Sequence, residues 1–152
     1  MRNNNSSVVR YIALFSAIYA GLMLVLNMVV YGFDFDIGSS ANMAILFGAA
    51  YGTVSKFVSD HKRAPSKMEK QILIWGCICS AFVVSLGIVA LFLTLAGDST
   101  AWDQLSLLIS QLSASVWLGI FLFVTLMHYA VLYVIYSWGA KRFAKKFQPT
   151  QS

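Results

Sequence analysis

Charge is what this sequence has least of. Asp, Glu, Lys and Arg supply 11% of its 152 residues, against about 25% in an ordinary soluble domain. The shortage is clustered. Four stretches run free of all four residue types for roughly the 20 positions that a bilayer crossing needs. A soluble domain is thereby excluded. None of the stretches alternates apolar with polar, as the ~10-residue strands of a membrane β-barrel would. Proline is almost as scarce: Pro65 and Pro149 both lie outside the apolar stretches, so the broken helices that mark many transporter sites have no basis here. The two cysteines, Cys77 and Cys79, stand two apart and point to different faces of a helix. They read as small apolar fillers, not as a disulfide. No carboxylate, Lys or Arg sits deep in a stretch, which argues against proton relays, voltage sensors and coupled pumps. There is no nucleophile elbow, phosphate loop or Cys/His ligand set, so no enzyme, cofactor or metal is expected.

What the chain does have is apolar bulk, 59% of its residues. The fold class expected is all-α: a polytopic membrane protein of one domain with four transmembrane helices and short loops. The spans fall at about 8–31, 41–59, 71–96 and 114–138, and an amphipathic extension covers 101–113. No Pro or Gly separates Ala101 from Leu118. The last span is therefore expected to be one long helix that continues beyond the membrane. Asn5, Ser6 or Ser7 can cap the first helix, Ser39 or Ser40 the second, and Ser99 or Thr100 the last. The first span is too long for the apolar core of a signal peptide and no cleavage pattern follows it.

The eleven Lys and Arg settle the orientation. Arg2 and Arg10 begin the chain. Lys56, Lys62, Arg63, Lys67 and Lys70 surround the middle connector. Lys141, Arg142, Lys145 and Lys146 close the last helix. Four spans place all of these on one side, where Asp60 and Glu69 reduce the sum to +9; Asp34, Asp36, Asp98 and Asp103 leave −4 on the other, and together they recover the stated +5. The positive-inside rule then puts both termini in the cytoplasm of a bacterial inner membrane. Trp75 and Trp138 fall at the inner interface, Trp102 and Trp117 toward the outer one. Net basicity is thus a topological signal and calls for no nucleic acid. The same cations suit anionic lipid headgroups, chiefly Lys62, Arg63, Lys67, Lys141, Arg142, Lys145 and Lys146, each worth ~1 kcal/mol beside an anionic surface.

Two features point to self-association. Ala44, Gly48 and Gly52 stack on one helix face at four-residue spacing, which lets helix backbones approach in lipid. Trp102, Leu105, Leu108, Ile109 and Leu112 form an apolar stripe before the last span. That stripe must lie in the headgroup layer or meet copies of itself. A cyclic homo-oligomer is expected, a trimer favoured over a dimer. Three polar residues within or beside the spans, Asn27, Asn42 and His128, can hydrogen-bond between helices. Asp34 and Asp36 read as a solvated acidic loop, and His61 as a solvated loop histidine.

The whole-chain layout, the GSSAN run that opens the second helix and GAAYG at Gly48 to Gly52 resemble an uncharacterised family of small four-span inner-membrane proteins from Acinetobacter-like bacteria. That resemblance implies no activity, cofactor or functional residue. The function expected is a non-enzymatic, homo-oligomeric scaffold or regulator that acts through helix and lipid contacts. The alternative is a subunit of a small-solute or ion channel or transporter, lined by Ser, Thr, Asn and His128.

Overall fold

The computed structural model describes residues 4–33, 40–95 and 99–146, without the side chains at 4–7, 31–33, 40, 99–101 and 108. Asp34, Asp36, Ser39, Asp98 and the tail beyond Lys146 lie outside the described residues, whereas Asn5 to Ser7, Ser40, Ser99 and Thr100, expected as caps, already stand within helices. The described chain is all-α, in the order α1 (Asn4–Phe33), α2 (Ser40–His61), α3 (Lys67–Leu95), α4 (Ser99–Gln111), α5 (Ala114–Val134), a π-helical turn (Ile135–Gly139) and α6 (Ala140–Lys145). A chain in hydrocarbon must satisfy every backbone N–H and C=O internally, and long apolar sequences meet that demand as helices. Val8–Val30, Lys67–Leu95 and Ala114–Lys145 are each long and apolar enough to cross a membrane. The molecule is therefore a membrane protein in its physical character.

α1 packs against both α2 and α3; α5 and the π turn also contact both of these, and α6 contacts α2. α2 is the most enclosed element. Leu46, Ala49, Ala50, Thr53, Val54, Phe57 and Val58 have no accessible surface. Its glycines, serines and Lys56 lower its hydropathy below that of the other three long segments, because neighbouring helices shield it.

The most crowded glycine among the described residues is one that small-residue spacing in α2 does not reveal. It lies between α1 and α3, where a Cβ added at Gly76 would collide with the Ile12 side chain. Gly48 and Gly52 are looser: a Cβ there would lie 3.7 Å from Leu22 Cδ1 and 3.4 Å from Ile18 Cδ1. Both therefore lie beside α1 of the same chain, though Gly48, like Ala44, remains exposed.

The last span does not continue as one helix into the amphipathic segment. The chain breaks at Leu112–Ser113, where Ser113 is extended at φ −64, ψ 151. The break takes away the helical partner of the Ile109 carbonyl, and the Trp117 indole N–H donates to it instead, at 3.2 Å. Ser113 Oγ and Ser115 Oγ lie 3.0 Å apart, and the Val116 and Trp117 N–H groups both donate to the Ser113 carbonyl. Ser113 thus begins a new helix through its backbone carbonyl, with no side-chain cap, at a point that the absence of Pro and Gly conceals. Early α5 and the described part of α4 are little covered: every residue from Leu112 to Phe123 is exposed, although Phe121 meets the Phe82 ring at 5.1 Å and Leu105 is half-buried.

α3 also begins earlier than apolar content alone suggests. Ser66 and Glu69 form a reciprocal capping box. The Ser66 N–H donates to Glu69 Oε2 at 2.8 Å, and the Glu69 N–H donates to Ser66 Oγ at 3.3 Å. The four residues Lys67–Lys70 thereby become helical.

Candidate functional site

The cations of two distant segments meet at one end of the bundle. α2 ends when Lys62 turns into the left-handed region, at φ 53, and its N–H donates to the Val58 carbonyl at 2.8 Å. This is the αL closure that glycine normally supplies. Arg63 follows and forms a two-pronged ion pair with Glu69, at 2.7 and 2.8 Å. The Glu69 hydrogen bonds raise the Arg63 pKa further above its ordinary value, so the guanidinium stays charged and fixed.

α6 brings the other half. Lys141 and Lys145 are four apart and share a face; Arg142 and Lys146 share the next one. The first pair joins Lys62 and Arg63 around a cleft of about 280 Å³, floored by Ala64 and Ala144. The second pair enters a neighbouring cleft of about 260 Å³ with Tyr51, Trp138 and Phe143. There the Arg142 guanidinium lies 4.1 Å from the Trp138 ring centroid, and Tyr51 meets Phe143 edge to face at 4.9 Å. Of the seven cations singled out for headgroups, six line these two clefts, and Lys67 stands exposed outside both. Lys70, also of the connector, is tied to the last helical segment instead: its ammonium donates to Ser137 Oγ at 3.0 Å and sits 4.5 Å from the Tyr133 ring centroid.

The π turn sets which way α6 faces. A π turn spends one residue more than an α turn over the same stretch, and here it buries Ile135 and Tyr136 while releasing Lys141 and Arg142 to the surface. The Tyr136 hydroxyl lies 3.5 Å from Cys77 Sγ in the core. Cys77 is buried, Cys79 is exposed, and both are free thiols, as their spacing implies.

The same end holds a polar tie between α1 and α2. The Tyr11 hydroxyl donates to Asp60 Oδ2 at 2.9 Å, and Lys56 donates to Asp60 Oδ1 at 2.8 Å. These two hydrogen bonds lower the Asp60 pKa below the ordinary carboxylate value. His61 stacks on Phe57 at 4.4 Å and touches the Tyr11 hydroxyl at 3.4 Å, so it belongs to this tie.

The polar residues within the spans part company. Asn27 and Asn42 line a cavity between α1, α2 and α3 at the opposite end of the bundle. His128 is elsewhere, half-buried on α5; its Nδ1 is 2.8 Å from the Val124 carbonyl, which can only accept, and its ring faces Phe82 at 5.9 Å. On α4, Trp102 and Ile109 are exposed and Leu105 is half-buried, while the Leu108 side chain lies outside the described residues. Comparison with protein-family models, with curated proteins and with solved structures finds no match.

Proposed function

We propose that the protein is a non-enzymatic, multi-pass protein of the bacterial inner membrane that holds anionic lipid at its cytoplasmic face and acts as a homo-oligomeric scaffold or regulator. The reading rests on one observation above all: Lys62 and Arg63 from the connector meet Lys141 and Lys145 from α6 around a single cleft. Orientation alone would put these cations on one side of the membrane; sharing one cleft is the further feature that a headgroup phosphate would use. Arg63 is held by Glu69, so the charge offered to a headgroup phosphate comes chiefly from the compact ammonium groups of Lys141 and Lys145. The second cleft adds an aromatic floor of the sort found where headgroups meet hydrocarbon.

α2 is read as the fourth crossing. Its 22 residues reach roughly 33 Å, about the thickness of the hydrocarbon core. Four crossings place both termini with the cationic end, on the cytoplasmic side. The uncovered apolar surface of α4 and early α5 supplies the contact for further copies, with a trimer favoured.

The test compares lipid retained by the purified protein in mild detergent after exposure to equal phosphatidylglycerol and phosphatidylcholine. Retention of phosphatidylglycerol in excess is expected. The pair K141Q/K145Q should abolish the excess, and Lys67→Gln should leave it. Equal retention of both lipids by the unaltered protein would overturn the reading.

A further inference from the structure

The cavity at the end remote from the basic clefts measures about 640 Å³, within the roughly 300–1,000 Å³ of small-molecule sites. Three helices wall it, and each contributes one uncharged polar side chain: Asn27 from α1, Asn42 from α2 and Ser85 from α3. The rest of its lining is hydrocarbon, including Leu26, Ile88 and Phe92, and among the described residues none that lines it is charged. Polar groups in such a place are costly unless they find partners. Asn27 Nδ2 donates to the Met23 carbonyl at 2.7 Å, which leaves its Oδ1 as an acceptor toward the cavity. Asn42 is exposed near the start of α2, and among the described residues its carboxamide makes no hydrogen bond, which leaves it open to a ligand at the cavity's rim. The Ser85 hydroxyl meets that of Tyr19 at 3.2 Å, which closes the floor and orients it.

We propose that this cavity is a binding site for an uncharged amphiphile with a small oxygen-bearing head and a hydrocarbon chain. The two carboxamides offer donors and acceptors to hydroxyl, ester or ketone oxygens, and the apolar walls take the chain. An anionic head would meet no cation here, which separates this site from the basic clefts and makes the proposal independent of them. The shared chemistry could come from a diacylglycerol-type lipid or an isoprenoid quinone.

A photoreactive diacylglycerol tests it, applied to the full-length protein in nanodiscs, with cross-linked peptides mapped by mass spectrometry. Labelling should concentrate on α1 around Asn27 and on α3 from Ser85 to Leu93. Unlabelled diacylglycerol or quinone should compete, whichever is stronger naming the source, and phosphatidylglycerol should not. Val89→Trp fills the cavity from a half-exposed position and should remove most of the labelling. Asn42→Leu should reduce it about fivefold, as loss of one or two hydrogen bonds implies. Phe123→Ala, on the uncovered part of α5, should leave it unchanged. Labelling spread evenly over lipid-facing helices, competition by phosphatidylglycerol, or labelling that survives Val89→Trp in a protein of unchanged helicity would each overturn the proposal.

Discussion

Lys62 carries two burdens at once. Its left-handed backbone would suit glycine better, since an L side chain there costs about 1–2 kcal/mol, yet its charge lines the basic cleft. Lys62→Gly is therefore expected to change stability little or raise it by about 0.5 kcal/mol, after the greater freedom of the unfolded chain is counted, while anionic-lipid retention falls. Thermal unfolding in detergent and lipid analysis of the same sample read the two effects separately. Asp60 supplies a pH dependence whose sign follows from its lowered pKa. A group whose pKa is lower folded than unfolded stabilises the fold above its unfolded value and ceases to do so as pH falls through the folded one. Acidification through and below the carboxylate range should loosen the α1–α2 tie. Tyr11→Phe, which removes one of the two bonds to Asp60, should flatten that part of the pH profile of thermal unfolding.

Among the elements, the α1–α3 contact depends on a glycine whose neighbours in the sequence, Trp75 and Cys77, give no hint of it. Gly76→Val is expected to cost about 1–3 kcal/mol through overpacking against Ile12, whereas Gly48→Ala, with room for its methyl, should stay within about 0.5 kcal/mol; unfolding midpoints distinguish them. The break at Ser113 has its own measurement. Spin labels at Gln104 and Phe121 on one straight helix would be roughly 26 Å apart along its axis, and a distance well short of that is expected. The helical class and three of the long apolar segments were legible because hydropathy is a local property. The capping box at Ser66–Glu69 was equally local and was hidden only by the charges around it. The Ser113 break was not legible from Pro and Gly, and Gly139, which closes the π turn, marks a weak point without revealing the added residue. The basic clefts were half legible: the cations stood out as a class, but their pairing depends on how α6 docks on α2, which no spacing within either segment records.

At the scale of the whole molecule, two expectations concern orientation and assembly. Reporters fused at the C-terminus and at Gly97 should fall on opposite sides of the membrane, the C-terminal one in the cytoplasm. Mass measurement in mild detergent should give an oligomer, and Leu118→Asp, on the uncovered surface of α5, should shift it toward the monomer; a monomer in both cases removes the assembly reading. The π turn has one more consequence, for how the chain can change length. With one residue to spare between Ile135 and Gly139, loss of Ser137 can be absorbed as the turn tightens into an ordinary α-helix, and everything beyond it keeps its compass bearing. Gain of a residue at the same point has no such slack. It would swing Lys141 and Lys145 by about 100°, away from Lys62 and Arg63, so the chain can be shortened here without losing its cationic cleft but not lengthened.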